Sequence, residues 1–256
     1  MKFKAFVPFA ALLLAALGNA ADLQNSPKQA LPAVRAVYII PADHAYRHDY
    51  AFALERAVEN VRTWYQLQMG GKTFALPKPV VQVVYSEHPA AWYSTTAAGG
   101  DAALWFWYNA IADAFALTGG RFEDPNARWL YYLNADPACG QVTGAAAGVA
   151  LFPANDLRRL VGETNIPPCS FNPPDTGGVC RWVGGLGHEL GHTFGLPHPV
   201  PCPGGSDDAA LMCLGYITYP DTYLLPQDKI TLNASPFFLF SKLSPGRARN
   251  FACKER

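Results

Sequence analysis

One stretch limits what this chain can be more than any other: Gly187-His188-Glu189-Leu190-Gly191-His192-Thr193-Phe194-Gly195-Leu196-Pro197-His198-Pro199, spaced H-E-x-x-H-x-x-G-x-x-H. Side chains four apart share one face of a helix, so His188 and His192 can offer two imidazole nitrogens to one ion. Glu189 stands one step round, where its carboxylate reaches water at a metal rather than the metal itself, as a general base requires. Glycine tolerates the left-handed backbone that ends a helix, so Gly195 lets the chain fold back and bring up His198 as a third ligand. Three neutral imidazoles with an open fourth position form the ligand set of catalytic zinc, here one ion per chain.

A random chain of this length shows these five fixed positions roughly once in ten thousand, so the full spacing carries weight that a bare H-E-x-x-H lacks. The plainer alternative, a surface helix with His198 in an unrelated loop, leaves the register of Gly195 unexplained. The string resembles the zinc signature of the metzincin metallopeptidases, with His188, Glu189, His192, Gly195 and His198 on its fixed positions. The resemblance implies an α+β fold, with a twisted, mostly parallel sheet, an antiparallel edge strand and packed helices above a cleft, and an irregular C-terminal subdomain below. It also implies a methionine turn beneath the histidines, a role that Met212, 14 residues after His198, fits; bottom-up, a Met is plain core filler. Some metzincins place a tyrosine at the zinc two residues past that methionine. Here the position is Leu214 and the tyrosine, Tyr216, comes two further on, so packing is the plainer role for Tyr216 and Tyr219.

The N-terminus reads as a processing segment: Lys2 and Lys4, an apolar run from Ala5 to Leu17, then Gly18-Asn19-Ala20 as a small-x-small cleavage site. The run is too short for a membrane anchor. The expectation is a signal peptide over 1–20 and one catalytic domain over 21–256, its upper part 21–195 and lower part 196–256, secreted to the extracellular or periplasmic space. Charged residues make up 16% of the chain and the formal net charge is zero, a globular balance that draws in neither nucleic acid nor an anionic membrane surface; a monomer is the expectation. Six cysteines, an even count, suit three disulfides in an exported protein. Six thiols allow 15 pairings and sequence does not choose among them; pairing neighbours would give Cys169–Cys180 and Cys202–Cys213 and leave Cys139 for Cys253.

In chain order, Ala33–Ile40 reads as a strand, Asp49–Met69 as a helix with Phe52, Leu54, Val58, Val61, Trp64 and Leu67 close to helical spacing and stopped by Gly70-Gly71, and Val80–Tyr85 as a second strand. That β-α-β order points to a parallel pair with the helix across one face. Asp101–Leu117 reads as a buried helix, with Trp105, Trp107 and Tyr108 as packing residues. Arg128–Asn134 and the short Gly148–Phe152 complete the strands, the last suiting an edge beside the metal helix, where an extended peptide can add as a strand. Metzincins align substrate antiparallel to such an edge, so the resemblance implies the same. Glu163–Gly185 reads as a Pro/Gly/Cys loop, with the metal helix starting between Cys180 and Leu186 and its glycines either weakening that start or admitting another backbone. Asp207 and Asp208 have calcium-binding chemistry but sit in a stretch that an exposed loop explains as well.

The reading that follows is a zinc endopeptidase acting on a protein or peptide held extended. A zinc amidase acting on cell-wall or other non-protein amides, and an exported non-catalytic zinc protein, are the alternatives. The paired base Glu189 counts against the last, since a structural site has no use for it.

Overall fold

The computed structural model describes residues 31–164 and 178–241. The elements follow as β1 (Ala33–Ile40), α1 (His48–Gln68), β2 (Lys72–Thr73), β3 (Val81–Tyr85), α2 (Trp92–Thr95), α3 (Trp105–Thr118), β4 (Ala127–Leu133), β5 (Gly144–Ala146) and β6 (Val149–Phe152). Then come α4 (Ala154–Leu160), α5 (Gly178–Thr193), α6 (Pro226–Ala234) and β7 (Leu239–Phe240).

The main sheet has the order β3-β1-β4-β6-β5. β3, β1, β4 and β6 run parallel, and β5 runs antiparallel to β6. Strands covered on both faces read as continuous apolar runs, which is why all of β1 except Arg35 is buried. Alternate residues then feed two cores. Val34, Tyr38 and Ile40 pack with Leu54, Val58 and Val61 of α1 and Val183, Leu186 and Leu190 of α5. On the opposite face, Val37, Ile39, Tyr131 and Leu133 pack with Phe106, Ala110, Ile111 and Ala114 of α3. The α+β class and the mostly parallel sheet with one antiparallel edge are as expected.

Four local expectations are corrected. Val149–Phe152 is not the edge: β5 lies outside it, and Gly144-Ala145-Ala146 carries none of the β-branched signal by which a strand is recognised. On α1, Phe52 and Leu67 are exposed, because they fall off the face set by Leu54, Val58, Val61 and Tyr65. On α3, Tyr108 is also exposed, and Phe106 does the packing instead. Finally, α5 is already helical at Gly178, ahead of the expected start, because its interior glycines serve close packing rather than chain termination.

Among the described residues, no helix is long and apolar enough to cross a membrane. Cys202 and Cys213 are joined, tying the loop after His198 to the segment of Met212. Cys139 is disulfide-bonded as well; the expected partners Cys169 and Cys253, the Glu163–Gly185 loop for the most part, and the signal segment lie outside the described residues.

Candidate active site

The site is built on α5, whose glycines bring neighbouring backbone unusually close. A Cβ added at Gly184 would stand 2.1 Å from the carbonyl oxygen of Tyr216 and 2.6 Å from Cβ of Tyr219. At Gly191 it would stand 2.4 Å from Sδ of Met212. The fully buried Met212 therefore lies directly under the turn that joins His188 to His192. On the other side, the buried hydroxyl of Tyr65 donates to the carbonyl of Gly187 at 3.0 Å and pins α5 to α1.

The helix ends in a Schellman motif. Gly195 has φ +87°, its N–H bonds the carbonyl of His192 at 2.9 Å, and the N–H of Leu196 bonds that of Gly191 at 3.1 Å. The reversal carries His198 back beneath the helix. There the three Nε2 atoms form a near-equilateral triangle: His188 to His192 3.1 Å, His188 to His198 3.1 Å, and His192 to His198 3.0 Å.

The tautomers decide what such a triangle is for. Nδ1 of His188 lies 2.7 Å from the carbonyl oxygen of Leu211, and Nδ1 of His192 lies 2.8 Å from that of Leu196. A carbonyl only accepts, so both Nδ1 atoms carry the proton and both Nε2 atoms present bare lone pairs. Two such lone pairs 3.1 Å apart cannot bond each other; a cation between them can satisfy both. A tetrahedral zinc with Zn–N bonds of about 2.0–2.1 Å separates its nitrogens by roughly 3.3–3.4 Å, so the donor set fits zinc with adjustments of a few tenths of an ångström. Burial lowers the basicity of His188, to a pKa of about 4, and of His192, which keeps both rings neutral and ligand-ready. Among the described residues this is the one histidine, cysteine or carboxylate group of three or more arranged to hold a metal.

Glu189 occupies the gap between α5 and the sheet edge. Its Oε2 would stand 3.8 Å from a Cβ at Gly144 of β5, and burial raises its carboxyl to about 7. A pocket of about 540 Å³ opens beside it, lined by residues that include His188, Asp156, Arg181, Trp182 and Tyr216. Tyr216 thus does come to the site despite its displaced position, its ring centroid 5.1 Å from that of His188. Two other histidines are engaged elsewhere: His88 stacks on Trp92 and His48 on Phe52. Asp208 is occupied too, its carboxylate accepting from the backbone N–H groups of Gly204 and Gly205.

Sequence reasoning missed the carbonyls of Leu211 and Leu196, which no side-chain pattern encodes, and the pocket residues Asp156 and Arg181. For Arg181 a signal existed: it lies seven residues before His188, two helical turns along the same face.

No protein-family model and no curated protein sequence matches the chain. Solved structures do. The fold resembles that of OgpA from Akkermansia muciniphila. Wild-type OgpA superposes with a TM-score of 0.55 at 19% identity, over 86% of this chain and 64% of that one. Catalytically inactive OgpA in complex with an O-glycopeptide (glycodrosocin) substrate gives 0.53 at 18%, over 85% and 63%. This chain therefore spans a little under two thirds of the OgpA chains, and the likeness is one of fold. A zinc-dependent peptidase from Methanocorpusculum labreanum aligns at a TM-score of only 0.31 and 12% identity, over 77% of this chain and 99% of that one.

Proposed function

We propose that this chain is an exported zinc-dependent endopeptidase, its catalytic domain spanning 21–256 after loss of residues 1–20. The observation that carries the reading is the triangle of Nε2 atoms, two of them fixed as lone-pair donors by backbone carbonyls. His188, His192 and His198 hold the metal. Zinc, when bound there, polarises the scissile carbonyl and acidifies water.

The chain's own groups do the rest. Glu189 accepts the proton of the attacking water and hands it to the leaving amine, a task suited to a carboxyl that burial has brought near neutrality. Among the described residues nothing pairs with the outer edge of β5. Its Gly-Ala-Ala sequence presents no bulky side chain there, so the backbone of an extended peptide can add antiparallel to it. Tyr216, close to His188, serves the oxyanion with its hydroxyl. An edge strand beside the base favours a peptide over a non-peptide amide.

One observation extends the substrate class. The pocket, at about 540 Å³, lies in the range of sites for drug-sized ligands. Together with the O-glycopeptide bound by OgpA, this supports peptides carrying a bulky polar modification as substrates.

A peptide-library digest, with glycosylated members included, tests the reading in three states: as isolated, with chelator, and with zinc restored. Cleavage that stops with chelator and returns with zinc is expected. Glu189→Gln should keep the zinc and lose about 10²–10⁴-fold in kcat; undiminished cleavage by that variant refutes the mechanism.

A further inference from the structure

We propose that Asp156 determines specificity in the pocket beside Glu189, selecting substrates whose residue just after the scissile bond carries a hydrogen-bond-donating group. The inference rests on the peptidase reading above.

Direction comes from the edge strand. A peptide antiparallel to β5 has its C-terminal half toward the residues that precede Gly144. The pocket wall includes Gly140, Gln141 and Thr143, which lie on that side. The pocket therefore receives the residue on the leaving-group side of the cleaved bond.

Chemistry comes from what the fold leaves unsatisfied. Two acids besides Glu189 line the pocket, and they differ. Asp136 is fully engaged: both carboxylate oxygens accept from Nη2 of Arg158 at 2.8 Å, and Oδ1 accepts from the N–H of Asn155 at 3.0 Å. Asp156 sits in the first turn of α4, yet no backbone or side-chain donor among the described residues reaches its carboxylate; α4 has no side-chain cap. A capping role therefore does not account for it. Arg181, the pocket's cation, acts on Asp156 through its charge and lies with its guanidinium over the ring of Trp182 at 4.2 Å, but it makes no hydrogen bond to the Asp156 carboxylate.

The neighbours tell the same story. Asn155 and Trp182, each 6% exposed, line the pocket beside Asp156, and their Oδ1 and Nε1 atoms are buried without a partner, so neither supplies a donor to the Asp156 carboxylate. The Asp156 carboxylate is thus the acceptor that the pocket leaves for a guest. An apolar side chain would strip water from Asp156 and return nothing, whereas a donor meets it. Burial raises the Asp156 carboxyl to about 7 although the charge of Arg181 pulls it down, as expected of a desolvated acid that no hydrogen-bond donor reaches.

The donor has two sources, an ammonium or guanidinium of Lys or Arg, and the hydroxyls of a sugar on Ser or Thr. Three peptides identical except for the residue after the scissile bond separate them: Lys, Thr bearing an O-linked N-acetylhexosamine, and Leu. With zinc-loaded enzyme, kcat/KM for the better donor peptide should exceed that for Leu at least tenfold. Asp156→Leu should collapse that ratio tenfold or more, by lowering the donor peptide's value and not the Leu peptide's. Asp156→Asn keeps an acceptor without charge, so it should spare the sugar and penalise Lys. A ratio cancels any loss of folded enzyme, because misfolding lowers both rates equally. A wild-type preference for Leu, or a ratio unmoved by Asp156→Leu, overturns the assignment while leaving the peptidase reading intact. Failure of zinc-loaded enzyme to cleave any peptide overturns both.

Discussion

Replacing Gly184 and Gly185 by alanine, one at a time, should move stability in opposite directions although the two are neighbours on one helix. In an exposed helix interior, Gly→Ala gains about 0.5–1 kcal/mol by restricting the unfolded chain and improving helix propensity. Gly185 should show that gain, since an added Cβ meets nothing within 4 Å. At Gly184 the same Cβ would lie 2.1 Å from the Tyr216 carbonyl oxygen, where ordinary contact begins at 3.4 Å, so α5 or the Tyr216 segment must retreat by more than an ångström. Overpacking against backbone costs about 1–3 kcal/mol or more, which outweighs the propensity gain and leaves Gly184→Ala destabilised by about 2 kcal/mol. The two variants should thus differ by about 3 kcal/mol, or roughly 6–12 °C in Tm for a domain of this size. Gly191→Ala should fall between them, because its obstacle is the end of a flexible Met212 side chain. Thermal melts of metal-free protein followed by far-ultraviolet circular dichroism read all three. Equal melting temperatures for Gly184→Ala and Gly185→Ala would refute the close approach of α5 to the segment after Met212.

Other outcomes follow from the same geometry. Removing the Cys202–Cys213 link by a double serine substitution should cost about 3 kcal/mol, from the loop entropy of an 11-residue separation, measured by urea denaturation. The Asp156 carboxyl is raised to about 7 in the fold, so its contribution is most favourable below pH 4 and is lost as pH rises through 7. Relative to wild type, metal-free Asp156→Asn should therefore gain about 2 kcal/mol between pH 4 and pH 7.5, an upper value near 4 being reduced by pocket water. His188, lowered to about 4, works the other way, losing its contribution as pH falls from about 6.5 toward 4, and it cancels in the comparison. A flat difference curve would show that Asp156 titrates as an ordinary carboxylate. Tyr65→Phe should cost about 1 kcal/mol for the lost bond to Gly187, again read by denaturation.

How much was legible in the sequence follows from where the information sits. Parallel strands buried on both faces announce themselves as apolar runs, so β1 and β4 were readable, while β3, an edge strand that is only partly buried, was readable from its β-branched Val-Gln-Val-Val-Tyr. β5 was not, because a three-residue Gly-Ala-Ala strand owes its pairing to β6 and not to propensity. The histidine spacing and Gly195 were readable because they are a covalent pattern with one helical solution. The groups that orient the imidazoles, the carbonyls of Leu211 and Leu196, are main-chain atoms whose position only the tertiary fold sets. Tyr216 reached His188 from an offset that sequence spacing argued against, carried there by the short 3-10 turn Gly215–Thr218, which packs on the glycine face of α5. Asp156 was invisible for a different reason: a lone acid in a first helical turn is commonplace, and only the pocket gives it meaning.

The central claim is that three converging imidazoles hold one zinc and that Glu189 works beside it. Titrating zinc into metal-free wild type and Glu189→Gln, with bound metal and peptide cleavage measured on the same samples, tests it most directly. The account expects both proteins to bind one ion per chain, with cleavage rising in step with occupancy in wild type and staying near zero in the variant. Cleavage by the wild type at zero occupancy, or a failure of either protein to bind the ion, would contradict it.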